Sequence, residues 1–384
     1  MRASALLPRA SLWARGPGRG VGPRAQRLAL RIGALLAAVL ACRAPAGLCA
    51  DGFAGLGQES PGFASVTPGA ALAFPRDFGA HPGFRTEWWY LTANLRDASG
   101  QSYGAQWTLF RSALAPGPER EGWADPIVFM GHAAVTTASE HLFAETSARG
   151  GIGQAGVVAR PFRAFIDDWS LESRDNGADA GISRLVAVAS GAQFRYQLTL
   201  SADMPPVLEG DRGYSRKSED GRASYYFSQP FYAVEGELVL RGAPIKVSGR
   251  AWMDREWSSQ PLSPDQKGWD WFSLHLSSGE KLMLFRLRSA SGRDFFGGNW
   301  IDADGATRQL APEDILIEPL ATTKLPVATL PTRWRVTVKS HALNIETTPL
   351  NPASWMATRF SYWEGPIRFT GSHGGEGYLE MTGY

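Results

Sequence analysis

The sequence has almost no cysteine. Its 384 residues contain two, Cys42 and Cys49, both inside the first 50. Everything after residue 50 is therefore closed to thiol catalysis, to Cys-based zinc sites and to disulfides. Histidine is also scarce. His81, His132, His141, His275, His341 and His373 are all there is, and no two stand at H-x-H or H-x-x-x-H spacing. A metal site would have to be assembled from distant strands, so neither a metal nor another cofactor is expected. The first 50 residues hold eight Arg but no Lys, Asp or Glu. The uncharged apolar run in this leader, Ile32 to Cys42, has eleven residues, against the roughly 20 needed to span a bilayer.

A basic stretch, a short apolar run and then small residues make the pattern of a secretory signal. Residues 1–50 are read as signal peptide and leader, with cleavage after Ala46 or Ala50. Lipoprotein processing at Cys42 in "VLAC" is the weaker option, because Leu40 makes a poor lipobox. Membrane contact is expected only through such an anchor, and the mature protein is expected in the periplasm or outside the cell. Without the leader, 31 basic residues (39 less eight) face 37 acidic ones, a net −6. The basic character of the whole chain belongs to the leader, so no nucleic-acid partner is expected.

Long helical periodicity is hard to find as well. What stands in its place is short alternation. "RYQLTLSA", "GELVLRG" and "RWRVTVKS" put apolar residues at every second position. Turn clusters such as "RDASGQS", "SSGE" and "DADGAT" separate such runs. The pattern predicts an antiparallel all-β protein, with a single helical turn at "PEDI", 312–315. The chain also looks duplicated. "EWWYLTANL…SGQSYGAQWTLFR" from Glu87 and "WDWFSLHLSSGEKLMLFR" from Trp269 share an order of features, with Trp89 matched to Trp271. "YFSQPFYAVEG" at Tyr226 and "YWEGPIRFTG" at Tyr362 each carry a proline four residues on. Two units are implied, 70–257 and 258–384, after an extended lead-in at 51–69. Each is expected to close as an up-and-down barrel, and an eight-stranded barrel can hold one small apolar ligand.

Two motif matches are set aside. "GQSYG", 100–104, fits G-x-S-x-G, but a nucleophile elbow needs a strand before it and a helix after it; Ser102 sits between two strands. "GIGQAG", 151–156, fits G-x-G-x-x-G without the βαβ unit a dinucleotide site requires. Two acidic–aromatic clusters remain: Glu87, Trp88, Trp89 and Tyr90, and "WMDREWSSQ" with Asp254, Arg255, Glu256 and Trp257. On a strand Asp254 and Glu256 share one face and Arg255 the other, and Trp88 and Tyr90 face away from Glu87 and Trp89. Asp270 follows between Trp269 and Trp271. Two readings stand. In the first, the acids pair with Arg85 or Arg255 in a salt-bridge network that joins the two units. In the second, a carboxyl pressed against indole rings has its pKa raised by desolvation and acts as a general acid on an apolar substrate. On that reading Glu87, Trp88 and Tyr90 meet Asp254 and Trp257 at the junction.

"EWWY", "GHAAVT" around His132, "PFRAFIDDWSL", "WMDREWSS" and the closing "YWEG…GYLEMTGY" together resemble the carotenoid 1,2-hydratase-like, or AttH-like, lipocalin family, many of whose bacterial members are described as predicted secreted hydrolases. The resemblance covers most of residues 70–384. It implies tandem lipocalin-like (calycin) antiparallel β-barrels with pseudo-twofold duplication. It also implies the hydratase chemistry, in which an acid protonates a terminal isoprenoid alkene and water captures the cation. Of the hydratases' Asp-His-Asn-Trp stretch, Asp254 and Trp257 carry over, while Arg255 stands where the His would be. A later Tyr and Asp pair has no match near Phe285–Arg288. The expected function is an exported protein that binds an apolar or isoprenoid lipid, with acid-catalysed chemistry on that ligand as an optional addition. The alternatives are a carotenoid 1,2-hydratase-like or hydrolytic enzyme and a structural envelope protein. Candidate catalytic residues are Asp254, Glu87 and Glu256. Candidate ligand-binding residues are Trp88, Trp89, Tyr90, His132, Trp257, Trp269, Asp270 and Trp271.

Overall fold

The computed structural model describes residues 54, 56, 58–175, 177 and 181–384. The expected leader and most of residues 51–57 lie outside the described residues. The alternating runs form strands as read. In chain order they are β1 (Thr86–Arg96), β2 (Ser102–Ala113), β3 (Ile127–Thr136), β4 (His141–Arg149), β5 (Ala155–Ala159), β6 (Phe162–Ile166), β7 (Trp169–Ser173), β8 (Arg184–Ser190), β9 (Phe194–Ser201), β10 (Val207–Leu208), β11 (Tyr214–Arg216), β12 (Ala223–Leu240) and β13 (Ala243–Ser258). A second set follows: β14 (Gln266–Leu276), β15 (Lys281–Ser289), β16 (Phe295–Ile301), β17 (Thr307–Gln309), β18 (Ile315–Lys324), β19 (Thr329–Val338), β20 (Leu343–Pro349), β21 (Trp355–Met356), β22 (Tyr362–Gly371) and β23 (Gly375–Thr382). The helices among the described residues are single 3-10 turns, including Pro312–Asp314 at the expected "PEDI".

The two sets form separate antiparallel sheets with the same plan. In the first, β1 pairs with β13, the last strand of its set, and the meander is open between β4 and β5. In the second, β14 pairs with β23, again first with last, and the sheet is open between β17 and β18. First-to-last pairing is what curls a meander into a barrel. The first sheet is nearly closed and the second is a half-barrel. The first path has eleven strands and the second nine.

Both interiors are packed. Trp89, Leu91, Trp107, Leu109 and Leu198 fill the first, and Phe272, Leu274, Trp334, Trp363 and Leu379 the second. A third core lies between the barrels, where Tyr90, Tyr226, Trp252, Trp271, Phe285 and Tyr378 come from the outer faces of both sheets. Sealing one such side chain from water is worth about 1.5–3 kcal/mol, so the seam is an interior in its own right. The "GQSYG" glycines belong to this packing. Gly100 has φ +84° in the β1–β2 turn, and a Cβ on Gly104 would come within 2.5 Å of the Tyr378 hydroxyl and 2.7 Å of Pro366. Gly104 is small because the second barrel rests on it. Ser102 accepts from Arg368 across the same contact.

Strand register corrects the expected match of Trp89 with Trp271. On the seam face Tyr226, Glu256 and Trp88 form one cross-strand row, and Tyr362, Thr382 and Trp269 form its counterpart. The next rows are Ser228, Asp254, Tyr90 and Glu364, Glu380, Trp271. Trp271 is therefore the counterpart of Tyr90. A one-residue slip would turn every seam side chain into the barrel.

Candidate functional site

β1 and β13 carry the two acidic–aromatic clusters side by side. Tyr90 stands opposite Asp254, Trp88 opposite Glu256 and Glu87 opposite Trp257. The clusters meet as expected, but alternation divides them between two faces.

On the inner face, Glu87 is fully buried. It is paired with Arg255, lies 3.1 Å from Arg111 Nη1, and accepts from the His81 backbone N–H at 3.0 Å. Burial alone would raise its pKa. The Arg255 guanidinium, the His81 hydrogen bond and Arg111 outweigh that and hold it at about 2. The Arg255 guanidinium is stacked 3.9 Å from the Trp89 ring centroid, and His81 lies on Trp257 at 4.0 Å. Three site expectations are thereby corrected. Glu87 has no proton to give, and neither it nor Trp89 or Trp257 lines the cavity on the opposite face of the strand pair. The network does use Arg255, but it ties up the end of the first barrel and does not join the barrels. Arg85 reaches Gln58 and Ser60 instead. Asp270 also points inward, where it is buried between Arg288 Nε at 3.4 Å and the Tyr384 hydroxyl at 2.7 Å. It too is outside the cavity.

The seam face holds a cavity of about 170 Å³. It lies between the barrels, not in either lumen, which corrects the expectation of a ligand inside a barrel. The lumens are filled by large side chains, whereas the seam must accommodate two curved outer surfaces. Trp88, Trp269, Trp271, Phe110, Phe285 and Leu287 are among its apolar walls. An apolar cavity of roughly 150 Å³ accommodates a benzene-sized group, so this one has room for a small apolar group.

Four acids stand at or just behind these walls. Asp254 is buried, and its Oδ1 accepts from Ser228 Oγ at 2.5 Å and Trp252 Nε1 at 2.7 Å. Burial drives its pKa up to about 7, helped by the charge of Glu256 and opposed by those donors. Glu380 accepts from Trp269 Nε1 at 2.5 Å, and burial, with the charge of Asp254, raises it to about 7 as well. Glu364, held by the Tyr90 hydroxyl, is raised well above the usual carboxylate range by burial and by Glu380. Glu256 is ion-paired, with Lys217 Nζ 2.9 Å away. His132 lines the cavity from β3 and meets the Tyr362 hydroxyl across the seam at 2.9 Å. Burial lowers its pKa, so it is neutral at pH 7.

The seam thus unites Asp254, Glu256, Trp88, Tyr90, His132, Trp269 and Trp271 of the expected residues. Sequence reasoning missed Glu380, Glu364, Tyr226, Tyr362 and Lys217. A signal for Glu380 was present: aligning "GRAWMD" with "GEGYLE" sets it against Asp254. Among the described residues, no group of three or more His, Cys, Asp or Glu is placed to hold a metal ion.

The chain is similar to a solved AttH-type protein of Nitrosomonas europaea, with 33% identity, a TM-score of 0.74, and 84% of this chain and 100% of that one covered. Its fold is also that of kievitone hydratase from Nectria haematococca, at a TM-score of 0.64 and 15% identity over 84% of this chain and 96% of that one. A curated relative, the quinolone epoxide rearrangement protein of Emericella nidulans, is 28% identical over 126 residues. That match covers 32% of this chain and 34% of the relative's length. By sequence, residues 65–384 match the AttH-like family throughout, and the chain belongs to that family.

Proposed function

We propose that the protein is an enzyme that protonates an electron-rich alkene in an apolar small molecule bound at the barrel seam and adds water to the resulting cation. The observation that carries this reading is Asp254, an acid held near pKa 7 in the wall of an aromatic cavity. A general acid works best when its pKa is near the operating pH. Asp254 donates its proton to one alkene carbon, and the π electrons form the new C–H bond. The cation on the other carbon is stabilised by the faces of Trp88, Trp269 and Trp271. Water adds there and gives up a proton, leaving an alcohol. Similarity in fold to a hydratase supports an enzyme over a pure lipid binder. A hydrolytic enzyme has less support, since Ser102 lies at the outer contact with Arg368 rather than in the cavity.

The test uses citronellol, which carries one trisubstituted prenyl alkene, in D2O. The full chain should yield the tertiary alcohol with deuterium on the neighbouring carbon, and Asp254→Asn should yield it about 10²–10⁴-fold more slowly. Native mass spectrometry of protein from its own cells offers the contrary result. A tightly held lipid, with no turnover of it or of citronellol, would establish binding without catalysis. We also propose that the protein is exported and loses its leader. Intact mass of the mature protein should place its first residue between 43 and 51, and a full-length cytoplasmic product would refute export.

A further inference from the structure

The two repeats each contribute a seam carboxyl at the same position. Counting along the ladders from Tyr226 and from its counterpart Tyr362, Asp254 of β13 and Glu380 of β23 occupy equivalent places. Both side chains line the same cavity. Each is held by an indole N–H, Asp254 by Trp252 and Glu380 by Trp269. Among the described residues neither makes an ion pair, whereas nearby Glu256 has Lys217.

Their surroundings differ in one respect. Behind Asp254 lie Ser228 and the buried acid Glu209. Behind Glu380 runs a chain of exchangeable groups that reaches the surface. The Tyr90 hydroxyl lies between Glu380 and Glu364 and donates to Glu364. Glu364 neighbours the Tyr362 hydroxyl, which meets His132 Nδ1 at 2.9 Å. His132 Nε2 meets partly exposed Glu145 at 3.1 Å. A neutral imidazole serves both contacts, accepting from Tyr362 at Nδ1 and donating to Glu145 from Nε2.

We propose that Glu380 is the second catalytic carboxyl and takes the proton from the water that captures the cation, while the Tyr90–Glu364–Tyr362–His132–Glu145 chain carries that proton to solvent. This rests on the hydration reading above. Asp254 loses one proton to carbon. Water forms the C–O bond with its lone pair and loses one proton to the Glu380 carboxylate. Asp254 is reprotonated from solvent as the chain discharges Glu380, so one alkene and one water give one alcohol with no other reactant. The charge of Asp254 raises Glu380 in the same cavity, which disfavours ionising both at once and supplies the required pairing of one acid with one base.

Two measurements on the full chain test the assignment. The first needs no substrate. Infrared titration of the protonated carboxyl carbonyl stretch in wild type, Asp254→Asn and Glu380→Gln should show each substitution lowering the other acid's midpoint by about one pH unit or more. Midpoints that ignore the substitution overturn the pairing. The second follows citronellol in D2O. Glu380→Gln should form alcohol about a hundredfold more slowly and still place deuterium in recovered or isomerised alkene, because the cation forms and loses a proton instead of being captured. Alcohol formation at the wild-type rate by Glu380→Gln overturns the role of Glu380. Glu380→Asp, which keeps the carboxyl, should recover part of the rate, and circular dichroism checks the fold of each variant. Coupled midpoints in a wild type that never hydrates citronellol would refute the hydration reading and leave the proton-sharing pair standing.

Discussion

Glu87 on β1 and Asp254 on β13 are carboxyls on neighbouring strands, and both are sealed from solvent. Desolvation pushes both pKa values upward. At Glu87, two guanidiniums and His81 outweigh it and bring the value to about 2. At Asp254 the neighbours are hydroxyls, an indole and another acid, and the value goes to about 7. Burial therefore does not decide what a carboxyl can do; the charge of the groups buried with it does. The inner face of the strand pair is an anchor with its proton gone, and the seam face has a proton to give.

The largest effect expected from this contrast is on turnover. Asp254→Asn should lower alkene hydration by about 10²–10⁴-fold and leave the fold intact, measured as product per unit of folded protein. Glu87→Gln should do the reverse. It strands Arg255 without its anion and leaves Arg111 only Glu119, which costs about 3–5 kcal/mol and shows as a thermal midpoint lower by roughly ten degrees. If the remaining folded fraction of Glu87→Gln turned over as poorly as Asp254→Asn, the two faces would not be functionally distinct.

The pH dependence of stability sharpens the comparison. Asp254 is raised in the folded state, so between about pH 4 and 7 the unfolded chain loses a proton that the folded chain keeps. Stability is lost as pH rises through that window, at up to roughly 1.4 kcal/mol per pH unit from this group. Asp254→Asn should therefore melt higher than wild type at pH 7.5 and about equally at pH 4. Glu87 has the opposite sign. Its contribution is complete above about pH 4.5 and is lost as pH falls toward 2. A Glu87→Gln deficit that grew below pH 4 would contradict this. The smallest effect belongs to Arg96 and Glu376, an exposed pair bridging the barrels. Arg96→Ala should change stability by less than about 1 kcal/mol in denaturant titration.

Much of the fold was legible. Alternation with turn clusters predicted antiparallel strands, and the recurring Tyr226/Pro230 and Tyr362/Pro366 predicted two similar units. Alternation also separated Trp88 and Tyr90 from Glu87 and Trp89, and Asp254 and Glu256 from Arg255. The match of Trp89 with Trp271 failed because the stretches were aligned by composition, and aromatics on both faces of β1 hide the register. Glu380 and Glu364 were missed because "YLEM" and "YWEG" look like ordinary strand ends until set against the first repeat.

The local period of the chain determines which side chains share a face, because a strand has only two faces and its neighbours are a few residues away. The sequence alone therefore settled strands, repeats and the division of each acidic–aromatic stretch. It could not settle which face of a barrel wall meets another wall, or which cation lies beside which acid. Arg111 is 24 residues from Glu87, Arg255 is 168 away, and Glu380 is 126 beyond Asp254. The first closes within the β1–β2 hairpin, the second when the meander curls, and the third when the barrels dock. Only then does desolvation act on the acids, with guanidiniums beside Glu87 and none beside Asp254.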